Sequence, residues 1–175
     1  MKILTRLFLI LSCALMLGTS LVAQQRDALS DVESDQLREV AQDPDKRLKL
    51  YIKFAGERLD TVEATLKDEK AKGRGQRAHD ALQDFRQLVD ELDDNIDDYV
   101  EKQADLRKIL PEVINTEDSF AKRLKAIKDR GVDPKFTEEF KSYSFVLQDA
   151  IEAVDLSLED AKKTLEEQGQ TMRKK

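Results

Sequence analysis

Cysteine is almost missing from these 175 residues: Cys13 stands alone, close to the amino terminus. No disulfide can close within one chain, and no cluster of thiolates can hold zinc. Tryptophan is absent, and there is a single histidine, His79. Its neighbours at helical spacing are Gly75, Gln76, Leu82 and Gln83. The Glu-x-x-His pairs of a di-iron bundle are therefore not available, and His79 reads as an exposed residue near a turn. Nucleophilic catalysis needs a Ser, Thr or Cys activated by a base, and one isolated histidine makes that chemistry remote. Gly73-Arg74-Gly75 is too short for a phosphate-cradling loop. No segment alternates apolar and polar residues with period two, so no sheet is expected. These gaps point to a protein without catalytic chemistry, and we expect it not to be an enzyme.

What is abundant is charge: 38 % of residues are Asp, Glu, Lys or Arg, with a formal net charge of −6. An acidic chain is poorly suited to phosphate backbones, so nucleic acid is not expected as a partner. Nor is there a basic amphipathic face suited to anionic lipid. The apolar residues recur at helical spacing, and a disordered chain lacks that pattern.

The amino terminus has three parts. Lys2 and Arg6 are positive, Leu7 to Leu17 is uncharged and apolar, and Leu21-Val22-Ala23 places a small residue before Gln24. This is the layout of a secretory signal over 1–23, with 24–175 as a single helical domain. The apolar run is short for a bilayer span, which takes roughly twenty residues. An uncleaved anchor and a lipidated Cys13 are the alternative readings. Export to a bacterial periplasm or to the outside is the expectation, with no membrane contact once the signal is removed.

Four helical stretches follow, at about 28–42, 44–72, 76–130 and 134–168. In the first, Leu29, Val32, Leu37 and Val40 share one side. Asp43-Pro44 opens the second: Asp accepts from free N–H groups of a helix start, and Pro fits the first turn. Its seam is Leu48, Ile52, Ala55, Leu59, Val62 and Leu66, broadened by Tyr51 and Phe54. Gly56 within it suggests a close helix crossing, and Gly73 to Gly75 should cap its end. In the third stretch Leu82, Phe85, Val89, Leu92, Ile96, Tyr99, Gln103, Leu106, Leu110, Val113, Glu117, Phe120, Leu124 and Ile127 step by three and four without a change of phase. Only Gln103 and Glu117 are polar. Pro111 either kinks one long helix or separates two. Leu110 before it caps poorly, so the single helix kinked at Pro111 is the favoured reading, an element of roughly 80 Å. A turn within 103–116, giving a compact four-helix bundle, is the rival. Asp133-Pro134 should open the last helix, with Phe136, Phe140, Tyr143, Leu147, Ala150, Ile151, Val154, Leu158, Ala161 and Leu165 inward and a frayed end after Gln168. The expected fold is all-α, an antiparallel helical bundle of coiled-coil-like hairpins, elongated by its long middle helix.

Three polar features bear on function. The acidic run Asp90, Glu91, Asp93, Asp94, Asp97, Asp98, Glu101 lies on one helix that lacks the glycine turn of a calcium loop. Its acids should point to solvent, with Asp90, Asp94, Asp97, Asp98 and Glu101 as weak cation candidates; no metal or other cofactor is assigned. The basic groups Lys67, Lys70, Lys72, Arg74, Arg77 and Lys122, Arg123, Lys125, Lys128, Arg130 should pair within the bundle, or with the acid face of another copy. Gln103 and Glu117 interrupt the apolar seam, either as half-solvated positions or as a polar layer that fixes register.

The stretches Asp43-Pro44-Asp45-Lys46-Arg47-Leu48 and Ala55-Gly56-Glu57-Arg58-Leu59 loosely resemble exported helical domains of bacteria, which implies a helical fold and no particular activity. The strand and basic charge of periplasmic holdases, and the Leu-Thr-x-x-Gln repeats of metal-stress helical proteins, are not present. The leading expectation is a non-catalytic, exported protein that acts by protein–protein interaction or scaffolding in the cell envelope, through a protein partner or self-association. A chaperone-like or apolar-ligand-binding bundle and a divalent-cation-responsive sensor are the alternatives.

Overall fold

The computed structural model describes residues 27–173; the signal reading, Cys13 and the cleavage point lie outside them. Among the described residues there are six helices and no strand: α1 Asp31–Glu39, α2 Pro44–Lys67, α3 Arg74–Glu101, α4 Leu110–Gly131, α5 Thr137–Phe140 and α6 Ser144–Arg173. The all-α bundle is as read from the periodicity. The 80 Å middle helix is not: residues 76–130 fall in two helices, and α3 is about 42 Å long at 28 residues.

The break has a local cause. After Glu101, Gln103 takes φ 60°, and its N–H donates to Val100 O at 2.9 Å while Ala104 N–H donates to Tyr99 O at 2.9 Å. This pair of bonds closes a helix around one left-handed residue, a position that glycine normally fills. With glutamine there, the stop carries no compositional signal. Gln103 is exposed and leaves the seam, whereas Leu106, Ile109 and Leu110 turn inward at 0 %, 3 % and 0 % exposure. Helical bonds from Ile109 and Leu110 N–H to Leu106 O lead into α4, so no polar side chain caps it. Pro111 sits in the first turn, where an N–H would have no partner.

α2, α3, α4 and α6 form a four-helix bundle. α2 lies beside α3 and α4, and α6 lies beside α4 and α3. The bonds fix the directions. Arg47–Asn95 and Tyr99–Ala41 O pair α2 against α3 head to tail. Glu117–Ser157 and Lys128–Gln148 do the same for α4 and α6. Arg123 meets Asp60 and Glu63, and Arg130 meets Leu66 O, at nearly constant separation along the chain, so α2 and α4 run parallel. The molecule is thus two antiparallel hairpins laid side by side in the same direction. α3 and α4 are diagonal partners, and Phe85 meets Phe120 edge to face across the centre at 5.3 Å. The hairpins carry one matching pair of segments, Leu82-Gln83-Asp84 and Val89-Asp90 against Leu147-Gln148-Asp149 and Val154-Asp155.

The ends of the elements depart from the sequence reading in four places. α1 is shorter than 28–42. It is started by a reciprocal box in which Glu33 N–H donates to Ser30 Oγ (3.3 Å) and Ser30 N–H donates to Glu33 Oε2 (2.7 Å). Glu33 and Leu37 are its buried residues and Ala28 is buried just ahead of it, whereas Val32 is 65 % exposed. α2 stops at Lys67, and the left-handed Gly73 starts α3 rather than ending α2. An added Cβ on Gly56 would make ordinary contact with the Phe120 ring at 3.7 Å, so the crossing there does not demand glycine. Asp133-Pro134 opens an irregular turn, because Asp133 accepts from Lys135 N–H (2.8 Å) and Phe136 is drawn against Arg130. The long helix begins only at Ser144, and it continues to Arg173 instead of fraying at Gln168. The Gln168 amide is tied to the α3–α4 turn, accepting from Leu106 N–H (2.9 Å) and donating to Ala104 O (3.0 Å).

Two variants test this account. Gln103→Gly relieves the left-handed strain and should raise stability by about 1 kcal/mol, seen as a higher urea midpoint at unchanged slope. Phe120→Ala empties the centre of the bundle and should cost about 3–5 kcal/mol in the same measurement.

Candidate functional site

Glu117 breaks the apolar seam of α4, and the helix carries it into the centre of the bundle. It is 0 % exposed, between Val113 and Phe120 on the same face. One oxygen, Oε1, accepts from Ser157 Oγ on α6 at 2.7 Å. The other, Oε2, is buried without a hydrogen-bond partner. Ser157 is itself 2 % exposed, and its Oγ also lies 3.4 Å from Asp93 Oδ1 on α3. Three helices thus bring two carboxyl groups onto one hydroxyl. Ser157 has a single hydrogen to donate and faces two acceptors, so both carboxylates cannot be satisfied while both are ionised.

The electrostatics follow from this geometry. Burial pushes the Glu117 carboxyl up to about 7, and the nearby charge of Asp93 adds to the rise; the Ser157 hydrogen bond and Lys162 oppose it. Burial together with Asp97 and Asp160 pushes Asp93 up to about 6, against the Ser157 bond. Lys162, the cation that opposes the rise at Glu117, is engaged by Asp118 at 3.6 Å.

The acidic run of α3 is not uniformly outward. Asp94, Asp97, Asp98 and Glu101 are exposed, but Asp93 turns in toward Ser157. Asp90 is half-buried and paired with Arg86 at 2.6 Å, and Asp98 is paired with Lys102 at 2.5 Å. Among the described residues, no three acidic, histidine or cysteine side chains converge as metal ligands would. His79 is half-exposed, with Nδ1 at 3.3 Å from the adjacent Asp80.

Of the basic groups singled out from the sequence, Arg74, Arg123 and Arg130 make ion pairs within the bundle. Arg123 binds Asp60 (2.5 Å) and Glu63 (2.7 Å), and Lys135 binds Glu69 (2.6 Å). At that end Phe136 is surrounded by Arg130, Lys135 and Arg74, at 4.7, 5.0 and 5.6 Å from its ring centre. Arg74 also pairs with Glu139, although its Nη1 is buried without a partner.

The surface clefts lie elsewhere. One of about 450 Å³ borders Leu29, Ser30, Arg58 and Arg77, and one of about 520 Å³ borders Ala104, Arg107 and Gln168. Both are open, and neither includes Glu117. On the outer side of α6, Phe145 is 85 % exposed and Leu156 63 % exposed. They are three turns apart, roughly 16 Å along one face. Asp149, Glu152 and Asp155 lie between them along the helix, with Glu159 beyond, all exposed.

The interruption at Glu117 was visible in the sequence. Its partners were not, because Ser157 meets it only once α4 and α6 close into a hairpin, and Asp93 joins them only once the hairpins are stacked. The exposed Phe145 carries no signal of its own, for it lies outside the apolar series of its helix. Comparison with protein-family models, with curated proteins and with solved structures finds no match for this chain.

Calcium offers a direct check on the acidic face. At low ionic strength, millimolar calcium should leave the melting temperature unchanged; a rise of several degrees would assign a cation to Asp94, Asp97, Asp98 and Glu101.

Proposed function

We propose that this is an exported, non-catalytic helical protein of the bacterial cell envelope, acting by contact with a protein partner. The observation that carries the reading is the exposed face of α6. A phenylalanine left 85 % exposed gains nothing from folding, so an aromatic anchor of this size is more useful to a partner than to the bundle. Phe145 and Leu156 supply two apolar anchors, and the acids between and beyond them set the polarity of a matching surface. The intramolecular pairing of Arg123, Arg130 and Lys135 favours this face over a staggered acid-to-base self-association.

A second reading, a bundle that opens to hold an apolar client, is favoured by the buried carboxyl of Glu117. An ionisable group in the centre of the core weakens the contact of α4 and α6 with α3 when it is charged.

The test is site-specific photo-crosslinking in cells. A photoreactive residue at position 145 should give a discrete adduct that the same residue at exposed position 166 does not, and Leu156→Ser should diminish it. Identical adduct patterns from 145 and 166 would overturn the α6 surface as the binding face.

A further inference from the structure

We propose that Glu117, Ser157 and Asp93 form a proton-binding site, and that the proton they hold couples closure of α4 and α6 onto α3 to ambient acidity. The site is independent of the outer face of α6 and does not rest on the partner reading.

One proton lets Ser157 bond both Glu117 Oε1 and Asp93 Oδ1 at once, while Oε2 is without a partner in either state. With Glu117 protonated on Oε1, that proton is donated to Ser157 Oγ at 2.7 Å, and the Ser157 hydrogen turns to Asp93 Oδ1 at 3.4 Å. The buried residue is then neutral, and the remaining charge rests on the half-buried Asp93. With Glu117 ionised, Ser157 must abandon Asp93, and a full charge lies at 0 % exposure with Oε2 unpartnered. Burying an unpaired charge is among the costliest changes a core can undergo.

The surrounding groups do not relieve it. From α3 come Asp93, Asp94 and Asp97; from α4, Asp118; from α6, Asp160 and Lys162. Acids dominate this set, and the one lysine is held by Asp118 at 3.6 Å. Glu117 in the fold titrates at about 7 against 4.5 for a free side chain, with burial the main cause. The folded state therefore binds the proton more tightly than the unfolded state. The stabilisation is complete below pH 4.5 and is lost as pH rises through about 7. Asp93, raised from 3.8 to about 6, acts with the same sign. Glu33, in contrast, is buried, yet bonds from Arg58 and Ser30 hold its carboxyl below the usual range, so its contribution is lost only on acidification. Burial raises the half-buried Asp90 as well, with the same sign, so the variants at Glu117 and Asp93 are what separate their share of the loss from pH 5 to 8.

The experiment is thermal unfolding of the full chain at fixed ionic strength from pH 5 to 8. The wild-type melting temperature should fall by about 5 °C or more over this range. Glu117→Gln, which keeps the shape and removes the titration, should lose most of that fall and melt higher than wild type at pH 8. Asp93→Asn should show a smaller fall than wild type. A flat or rising wild-type profile, or a Glu117→Gln profile as steep as wild type, would overturn the site. Should Glu117→Gln not fold, carboxyl-carbon NMR of glutamate-labelled wild type decides. One glutamate titrating near neutrality supports the site; none titrating above about pH 5.5 overturns it.

Discussion

An apolar seam that keeps one phase from Leu82 to Ile127 must be buried along its whole length, and a single straight helix leaves most of it facing water. Folding the seam back on itself resolves this. The left-handed Gln103 ends α3, Leu106 to Leu110 plug the end of the core, and α4 returns with the second half of the seam facing the first. Everything else is arranged around that reversal. α2 covers one side of the pair and α6 the other, and Gln168 binds the turn that makes it possible. Because the two halves share a phase, Phe85 and Phe120 arrive opposite one another, and Glu117 arrives where an apolar residue would otherwise sit.

The sequence discloses this arrangement unevenly. Helical spacing identifies the core almost residue by residue: every member of the seam from Leu82 to Ile127 is buried except Gln103. Asp43-Pro44 starts α2 as the capping chemistry requires, with Asp43 accepting from Lys46 N–H at 3.1 Å. The same dipeptide at Asp133-Pro134 instead leads into a turn, since Phe136 and Phe140 are claimed by packing at the end of α4. Phe140 presses on Gly131 so closely that a Cβ there would overlap its ring. A capping motif states where a helix can begin, and tertiary contacts decide whether it does. The reversal at 102–109 was hidden for a different reason. A left-handed glutamine is uncommon, and the helix before it and the helix after it both read as good helix.

The polar centre is legible only in part. A glutamate in an apolar series announces that something is buried or solvated there, but its partners belong to two other helices. Asp93 lies in a dense acidic run whose other members mostly face water, and Ser157 is an unremarkable small residue between Leu156 and Leu158. Neither draws notice until α6 folds back on α4 and parallel stacking brings Asp93, about one hairpin away, into contact with Ser157. Local rules reach as far as one helix face; a site assembled from three faces depends on register, which the chain sets through ion pairs such as Arg123 with Glu63 and through the central ring pair.

The parallel stacking has a topological consequence. Bonds between the hairpins join residues of near-constant separation, as in Lys108–Asp45, Arg123–Asp60 and Ser157–Asp93, while each hairpin closes on itself. Each hairpin is thus a self-contained lobe, and the connector 102–109 alone dictates which lobe it meets. If that connector were extended, the second lobe would reach past its own partner, and two molecules could trade lobes and recover every inter-hairpin contact. The left-handed residue that folds the seam back is thus also what keeps the exchange intramolecular.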